Sequence, residues 1–290
     1  SIPPTHVVGQ IERARRLPPD PRTEFAVVDP TVYASDSAFV AALDRELIKR
    51  PPGERDVLFF VHGYNSTTSD AVLRLAQFVE DTNFDGVPVL FTWASAASAP
   101  RYVYDLNSAL VARSQLSRIA GILRQSIATR GDVFAHSMGT FLTMEGLVEA
   151  SLSGRLENGF NIRHIILASP DIDIDLFASQ LGFLPQSVRD RIYVLSSQDD
   201  RALRLSRRIA GGVPRTGALP PEALDGLGVT VIDLTQVDNT SSLSHFKFAE
   251  SPEVVQLVGV GLNSAEDIGA ERPQTLNDFL SGTPIRILRN

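Results

Sequence analysis

Short, continuously apolar runs alternate along this chain with longer segments in which apolar residues recur at helical spacing. The apolar runs, typical of strands buried on both faces, lie at residues 56–62, 87–93, around 133–134, and at 164–169, 191–197 and 229–234. The helical spacing is found at residues 37–50, 68–82, 103–128 and 252–262. This alternation predicts an α/β fold, a mostly parallel, doubly wound sheet with helices on both faces.

The two ends of the chain depart from the pattern. Residues 25–28 predict a short strand, and residues 1–24 before them form an extension that is rich in proline near its end. Residues 263–290 form a polar, irregular tail that ends in an apolar PIRIL sequence. No internal repeat or interdomain linker is evident, so we expect a single domain over residues 1–290 with its core at about 25–262.

The sequence DVFAHSMGTF at residues 132–141 places Ser137 between the end of a strand and the start of a helix. Small residues, Ala135 and Gly139, stand two positions on either side of the serine. This pattern is typical of a nucleophile elbow, a turn so tight that only small neighbours fit and the hydroxyl is held clear of the backbone. It predicts Ser137 as a nucleophile, with the amide of Met138 as one oxyanion donor.

A serine nucleophile needs a base, and His245 is the predicted one, because it lies in a polar loop that follows the last predicted strand. Of the other histidines, His6 lies in the proline-rich start, and those at strand ends are interpreted as packing residues: His62, His136 and His164.

The base in turn needs a carboxylate, and Asp200, at the end of a strand, is the first candidate. The order serine, aspartate, histidine is then that of the α/β-hydrolase fold. The adjacent Asp199 could exchange roles with Asp200, and Asp171, after the preceding strand, is a third candidate.

Further positions complete the predicted site. HGYN at residues 62–65 follows a strong strand and predicts the Tyr64 amide as the second oxyanion donor. The segment at 170–190 is too short for a large helical cap. We expect Phe177 and Phe246 to line an apolar acyl site, with packing in the fold as the alternative for both. An open site of this kind favours short to medium acyl chains.

Composition and charge exclude several classes of protein. The net charge of −7 argues against a nucleic-acid partner, since phosphate binding requires a basic surface. The absence of cysteine removes disulfides, thiolate catalysis and cysteine-ligated metals, and no apolar run approaches the length of a membrane span. No metal or organic cofactor is expected. Basic residues that alternate with apolar ones are interpreted as a solvated helix face: Arg201, Arg204, Arg207 and Arg208.

Taken in order, the motifs HGYN, FTWAS, Tyr102 with Asp105, AHSMG, ASPDID, SSQDDRAL and SLSHF resemble the bacterial α/β-hydrolase family of unknown function called DUF900. The resemblance runs from about residue 1 to 262. It implies an α/β-hydrolase fold, serine esterase or lipase-like activity, and a triad of Ser137, Asp200 and His245. Asp171 also matches a family motif, which keeps its alternative role open.

The resemblance bears on the cellular compartment too, because proteins of the family often carry exported or lipoprotein leaders. The chain opens with SIPP and lacks an initiator methionine, so an exported or periplasmic protein with a removed leader is one expectation and a cytoplasmic protein the other. The sequence indicates no oligomeric state.

The expected activity is that of a serine hydrolase acting on carboxylic esters through an acyl-enzyme, with a small-molecule or lipid-like ester as substrate. An amidase, a thioesterase or an acyltransferase would use the same residues, because leaving-group contacts and water exclusion decide among them. A non-catalytic binding protein on a hydrolase fold is the further alternative.

Overall fold

Residues 1–156, 160–238, 243–263 and 285–289 are described by a computed structural model, in which one seven-stranded sheet is covered by helices on both faces. Its strands are β1 Asp56–Val61, β2 Val87–Phe91, β3 Arg130–His136, β4 Ile162–Ala168, β5 Ile192–Ser196, β6 Thr230–Asp233 and β7 Arg286–Arg289. Its helices are α1 Asp36–Leu47, α2 Thr68–Asp81, α3 Tyr102–Leu123, α4 Met138–Leu152, α5 Ile174–Gly182, α6 Gln186–Arg189, α7 Arg201–Ile209, α8 Lys247–Glu250 and α9 Pro252–Asn263.

The order of strands in the sheet is β2-β1-β3-β4-β5-β6-β7, and all neighbours are parallel except β6 and β7. The chain adds β2 on one side of β1 and β3 on the other, so the winding direction changes between β1 and β3. In open α/β sheets, ligands bind in the crevice at such a point. Because Val61 pairs with Ala135, the residues that follow β1 and β3 lie side by side at this crevice.

Successive residues of the strands point to opposite faces of the sheet, and each face builds its own core. Ala135 packs with Met138 and Leu142 beneath α3, α4 and α5. Its neighbour Phe134 packs on the other face, where its ring lies 4.6 Å from that of Phe78 in α2. Both faces of the central strands are therefore buried, which explains why these strands are continuously apolar in sequence.

The structure confirms the predicted fold class, and each predicted strand from residue 56 to 234 is found within a few residues of its expected bounds. The predicted helices at 37–50, 68–82, 103–128 and 252–262 correspond to α1, α2, α3 and α9. The four arginines of α7 are exposed to solvent, as a solvated helix face requires. No helix within the described residues has the length and apolar character needed to cross a bilayer.

The predicted strand at 25–28 is wrong. Phe25 N–H donates to Glu12 O (2.8 Å) and Ala26 N–H donates to Ser1 O (3.1 Å), so this segment hydrogen-bonds to the N-terminal extension and not to the sheet. The extension itself packs on α2, where Asp81 accepts hydrogen bonds from His6 and Gly9, each 2.8 Å long.

At the other end of the chain, most of the predicted tail, residues 264–284 and 290, lies outside the described residues. The PIRIL sequence supplies β7, which pairs antiparallel with β6 and buries Ile285. The division of the chain into one domain with a core at 25–262 stays a prediction.

Candidate active site

Ser137 occupies a strained turn between β3 and α4, with φ 53° and ψ −125°. This conformation is rare for a residue with a side chain and costs of order 1–3 kcal/mol, which the surrounding structure must offset. The turn also needs glycine two residues later, because a Cβ on Gly139 would lie 2.4 Å from His62 O. Only 3 % of Ser137 is exposed, so the turn presents its hydroxyl in a nearly closed site and not in the open one expected from the sequence.

The predicted base and the first-choice acid are in direct contact. His245 Nδ1 donates to Asp200 Oδ2 at 2.7 Å, and Asp200 is fully buried. Asp200 is also the N-cap of α7, where its Oδ1 accepts from Leu203 N–H at 3.0 Å. The helix cap therefore fixes the carboxylate, and the carboxylate fixes the tautomer and orientation of the imidazole.

His245 packs directly on the residue that precedes Ser137. His136 Nε2–H donates to His245 O at 3.1 Å, and the two rings lie 4.6 Å apart. Among the residues described, no hydrogen bond joins the Ser137 hydroxyl to His245. In unliganded enzymes such a bond is often long or poorly aligned and tightens when substrate binds.

The two neighbouring histidines have pKa values shifted in opposite directions. Burial lowers the pKa of His245, but the charge of Asp200 and its hydrogen bond outweigh burial, so the pKa is raised. Burial holds the pKa of His136 well below its usual range, and the charge of His245 lowers it further. His136 is therefore neutral, while His245 is the histidine able to take up a proton.

The alternative carboxylates have other partners. Asp199 binds Lys247 Nζ at 2.8 Å. Asp171 accepts from Tyr102 Oη at 2.9 Å and from Ser206 Oγ at 2.7 Å. Of the three candidate acids, Asp200 is the one that the structure brings to the imidazole.

The loop that carries Tyr64 packs on the elbow. A Cβ on Gly63 would lie 2.9 Å from Ser137 Cβ and 2.8 Å from His136 Nδ1, so only glycine fits there. The Tyr64 amide follows directly in sequence, and the Met138 amide, as the first of α4, has no acceptor within its own helix. Donation by these two amides to an oxyanion stays a prediction.

His62 holds this loop against the next strand end. Its Nδ1–H donates to Gly63 O at 2.9 Å, and its Nε2 accepts from Trp93 N–H at 3.1 Å. The indole N–H of Trp93 returns a 2.9 Å bond to His62 O, and the two rings stack 5.2 Å apart. Burial lowers the pKa of His62, which agrees with a neutral ring that both donates and accepts. His62 is thus a brace for the loop.

Asp105 on α3 is a second brace, and one to which we assigned no role from the sequence. Fully buried, it accepts from Ser95 Oγ and Ala96 N–H, both at 2.7 Å, and from Asn65 N–H at 3.4 Å. Asn65 has a positive φ of 55°, so the carboxylate helps to hold a strained turn. The sequence signal was present, since Asp105 belongs to the motifs quoted for the family resemblance.

Comparison with known proteins agrees with this geometry. Residues 35–260 match the family model described as alpha/beta hydrolase of unknown function (DUF900). The chain belongs to the DUF900 family. The resemblance seen in the motifs is thereby confirmed, and the protein is an α/β hydrolase by family and by fold.

Two solved structures similar to this DUF900 protein are esterases. One is esterase B from Lactobacillus rhamnosis with a tributyrin phosphonate, at 15% identity and a TM-score of 0.38, covering 72% of this chain and 76% of that one. The other is a fungal esterase from Rhizomucor miehei, at 14% identity and a TM-score of 0.38, covering 73% and 77%. Comparison with curated proteins gives no match.

The two predicted substrate-binding aromatics of the DUF900 protein have different surroundings. Phe177 on α5 has no exposed surface and belongs to the core beneath α4, so the structure does not support direct contact with substrate. Phe246 is half-buried beside the base, with its ring centroid 4.7 Å from that of His136 and the Arg74 guanidinium 4.7 Å above it. A contact between Phe246 and substrate stays a prediction.

Proposed function

We propose that this DUF900 protein is a serine hydrolase that cleaves carboxylic esters with short to medium acyl chains. The observation that carries the proposal is the buried 2.7 Å pair of His245 and Asp200, packed against the strained turn of Ser137. A carboxylate, an imidazole and a strained serine in this order are the elements of acyl-transfer chemistry.

In the proposed reaction, His245 Nε2 takes the proton of Ser137 Oγ as the oxygen attacks the ester carbonyl carbon. The carbonyl oxygen becomes an oxyanion that accepts hydrogen bonds from the Tyr64 and Met138 amides. The C–O bond to the alcohol then breaks, and the imidazolium protonates the departing oxygen. Water repeats the sequence on the acyl-enzyme and releases the acid. Asp200 stabilises the imidazolium formed in both halves.

Two features support substrates of modest size. Ser137 and His245 are only 3 % and 7 % exposed, so the approach to them is narrow. The segment between β4 and β5 holds the short helices α5 and α6 and adds no separate cap domain. A long acyl chain would need an apolar groove or cap to cover it, whereas a small ester does not.

The test is reaction of the purified protein with a fluorophosphonate probe, followed by mass spectrometry of the labelled peptide. We expect one adduct, on Ser137, and its loss in Ser137→Ala. Ser117→Ala is a matched control, because its hydroxyl is also buried but lies on α3, and it should label as the wild type does. Folded protein that carries no adduct, or carries it on another residue, would refute the proposal.

Turnover of p-nitrophenyl esters then defines the reaction. We expect the highest kcat/KM for short and medium acyl chains, and loss of turnover in Ser137→Ala with no change in melting temperature. A labelled serine with no ester turnover would favour an amidase, thioesterase or acyltransferase, which the corresponding amide, thioester and acceptor-alcohol assays separate.

A further inference from the structure

A buried polar cluster lies beside the candidate active site and has no part in the reaction proposed above. We define it by four side chains that are each less than a tenth exposed: Tyr102, Asp171, Ser206 and Arg215. The Asp171 carboxylate is at its centre, where it accepts from the Tyr102 and Ser206 hydroxyls. Arg215 Nε lies 3.2 Å from Asp171 Oδ1.

Among the described residues, the Arg215 side chain has no hydrogen-bond partner, unlike the other three members of the cluster. A guanidinium carries five N–H donors. Nε of Arg215 forms an ion pair with Asp171 but is too poorly aligned for a hydrogen bond. In the described part of the chain neither Nη atom has a hydrogen-bond acceptor, and neither is among the fully buried atoms, so both remain accessible. Burying a charged group without its hydrogen bonds is costly, so buried arginines are normally satisfied. The Nη donors of Arg215 are therefore available to water or to an anionic ligand.

Backbone hydrogen bonds hold the segment of Arg215, which lies between α7 and β6, against the loop that follows β4. Thr216 N–H donates to Ile172 O at 2.8 Å, and Gly217 N–H donates to Pro170 O at 2.9 Å. A Cβ on Gly217 would lie 2.5 Å from Pro170 N, so the two segments are in close contact. Arg215 is thus held rigidly, and its position does not depend on a flexible surface loop.

The same loop reaches the nucleophile and the base. Asp171 N–H donates to Ser137 O at 3.4 Å, which places the centre of the cluster next to the elbow. The Asp171 charge also adds, after burial and Asp200, to the shift in the pKa of His245. The cluster therefore lies within electrostatic range of the reacting groups.

On its other side, the cluster adjoins the loop of the predicted oxyanion donor. The Tyr102 ring meets the Tyr64 ring edge-on, with centroids 5.4 Å apart. The cluster that contains Arg215 therefore contacts both the elbow, through Asp171, and the loop of Tyr64, through Tyr102.

The chemistry of the guanidinium indicates the acceptor. Its planar fork of donors matches a carboxylate, which takes two parallel N–H···O bonds. Arg215 already faces the carboxyl of Asp171, so a monoanion suits the local charge better than a phosphate dianion. Burial raises the pKa of Asp171, and uptake of a proton there would accommodate the added negative charge.

We propose that Arg215 binds a carboxylate carried by the substrate, and that the substrates are therefore esters of anionic molecules, such as half-esters of dicarboxylic acids. The inference rests on the proposed function, because it assigns a substrate class to that same site.

The test compares charged and neutral esters of similar size. Mono-p-nitrophenyl adipate and p-nitrophenyl heptanoate probe a carboxylate on the acyl side, and 3-acetoxybenzoate and phenyl acetate probe one on the alcohol side. In Arg215→Met, the ratio of kcat/KM for the charged ester over the neutral one should fall by about 10- to 100-fold in at least one pair, the effect of one charge-assisted hydrogen bond. Arg215→Lys, which keeps the charge and loses the fork, should show a smaller fall.

Two further variants separate binding from folding and from net charge. Because Arg215→Met leaves Asp171 buried beside no cation, the double variant Arg215→Met/Asp171→Asn removes both charges and should show the same fall in the ratio. Arg208→Met removes an exposed arginine on α7 and should leave the ratio unchanged.

The outcomes distinguish this inference from the proposed function. Ratios that stay within about two-fold in both ester pairs, while Ser137 still labels and neutral esters still react, would overturn the inference alone and make Arg215 a structural residue. Failure of both labelling and turnover in the folded wild type would overturn the proposed function, and the inference with it.

Discussion

Replacing Asp200 by asparagine tests the predicted acid with little change of shape. The asparagine oxygen can still accept from Leu203 N–H, so the cap of α7 is retained. Its amide NH₂, however, cannot accept the hydrogen bond that Asp200 receives from His245 Nδ1. The imidazole would then carry its proton on Nε2, where it could not accept the proton of Ser137.

The magnitude follows from the geometry of the buried pair. With the nitrogen and oxygen 2.7 Å apart, the charge centres of imidazolium and carboxylate are about 4 Å apart, and at an effective dielectric of about 20 they attract by roughly 4 kcal/mol. Loss of that attraction in the transition state corresponds to about three powers of ten in rate. The wrong tautomer adds to this, so we expect kcat to fall by about 10³- to 10⁴-fold, as it does in serine proteases with the same change.

The assay is kcat for p-nitrophenyl butyrate, with thermal melting to show that the variant is folded. Asp199→Asn is the matched control: its carboxylate is 42 % exposed and binds Lys247, so we expect a loss of less than about ten-fold. Two results would refute the reasoning. One is an Asp200→Asn variant within ten-fold of the wild type, and the other is a larger loss in Asp171→Asn, which would make Asp171 the acid.

Three other predictions follow from the same geometry. The pKa of His245 is raised, because the charge of its carboxylate partner outweighs burial. We therefore expect kcat/KM to fall as the pH decreases, with a midpoint above about 6.5. A midpoint below that value would contradict the structure. Gly63→Ala places a methyl group 2.9 Å from the nucleophile's Cβ and should lower kcat by at least about 10²-fold by displacing an oxyanion donor, whereas Gly53→Ala, with no atom within 4 Å, should retain full activity. In urea unfolding, Phe177→Ala should lower the free energy of unfolding by about 3–5 kcal/mol, because the ring is fully buried. Phe183 is 51 % exposed, so Phe183→Ala should change it by about 0.5 kcal/mol or less. Equal losses in the two variants would argue against a core role for Phe177.

Local pattern was enough to predict the central elements of the fold. Strands such as β1 and β5 are buried on both faces, so nearly every residue in them is apolar. This pattern is visible in the sequence whatever the details of side-chain packing. The strand at 25–28 failed for the opposite reason. The segment does contain apolar residues, but it hydrogen-bonds to the N-terminal extension and not to the sheet. A local sequence pattern does not show which distant segment a short apolar run will pair with.

Phe177 shows the same limit for side chains. Its sequence context is equally compatible with a core position and with the wall of a pocket, because both surround an aromatic ring with apolar neighbours. Only the packing of α5 against α4 makes the ring fully buried. The sequence does not indicate the position of Arg215 for a related reason, since a lone arginine in a loop has no pattern that marks it as buried.

By itself, the sequence determined the α/β class, the elbow at Ser137, and the residue types needed for acyl transfer, because strand burial and tight turns restrict which residues can occupy consecutive positions. The tertiary structure decided which of Asp171, Asp199 and Asp200 reaches His245, and it paired Arg215 with Asp171, whose amide contacts the elbow of Ser137. These are contacts between residues far apart in the chain. Their distances are set by how strands and helices pack, and hydrogen bonds depend on tenths of an ångström that spacing along a sequence does not encode.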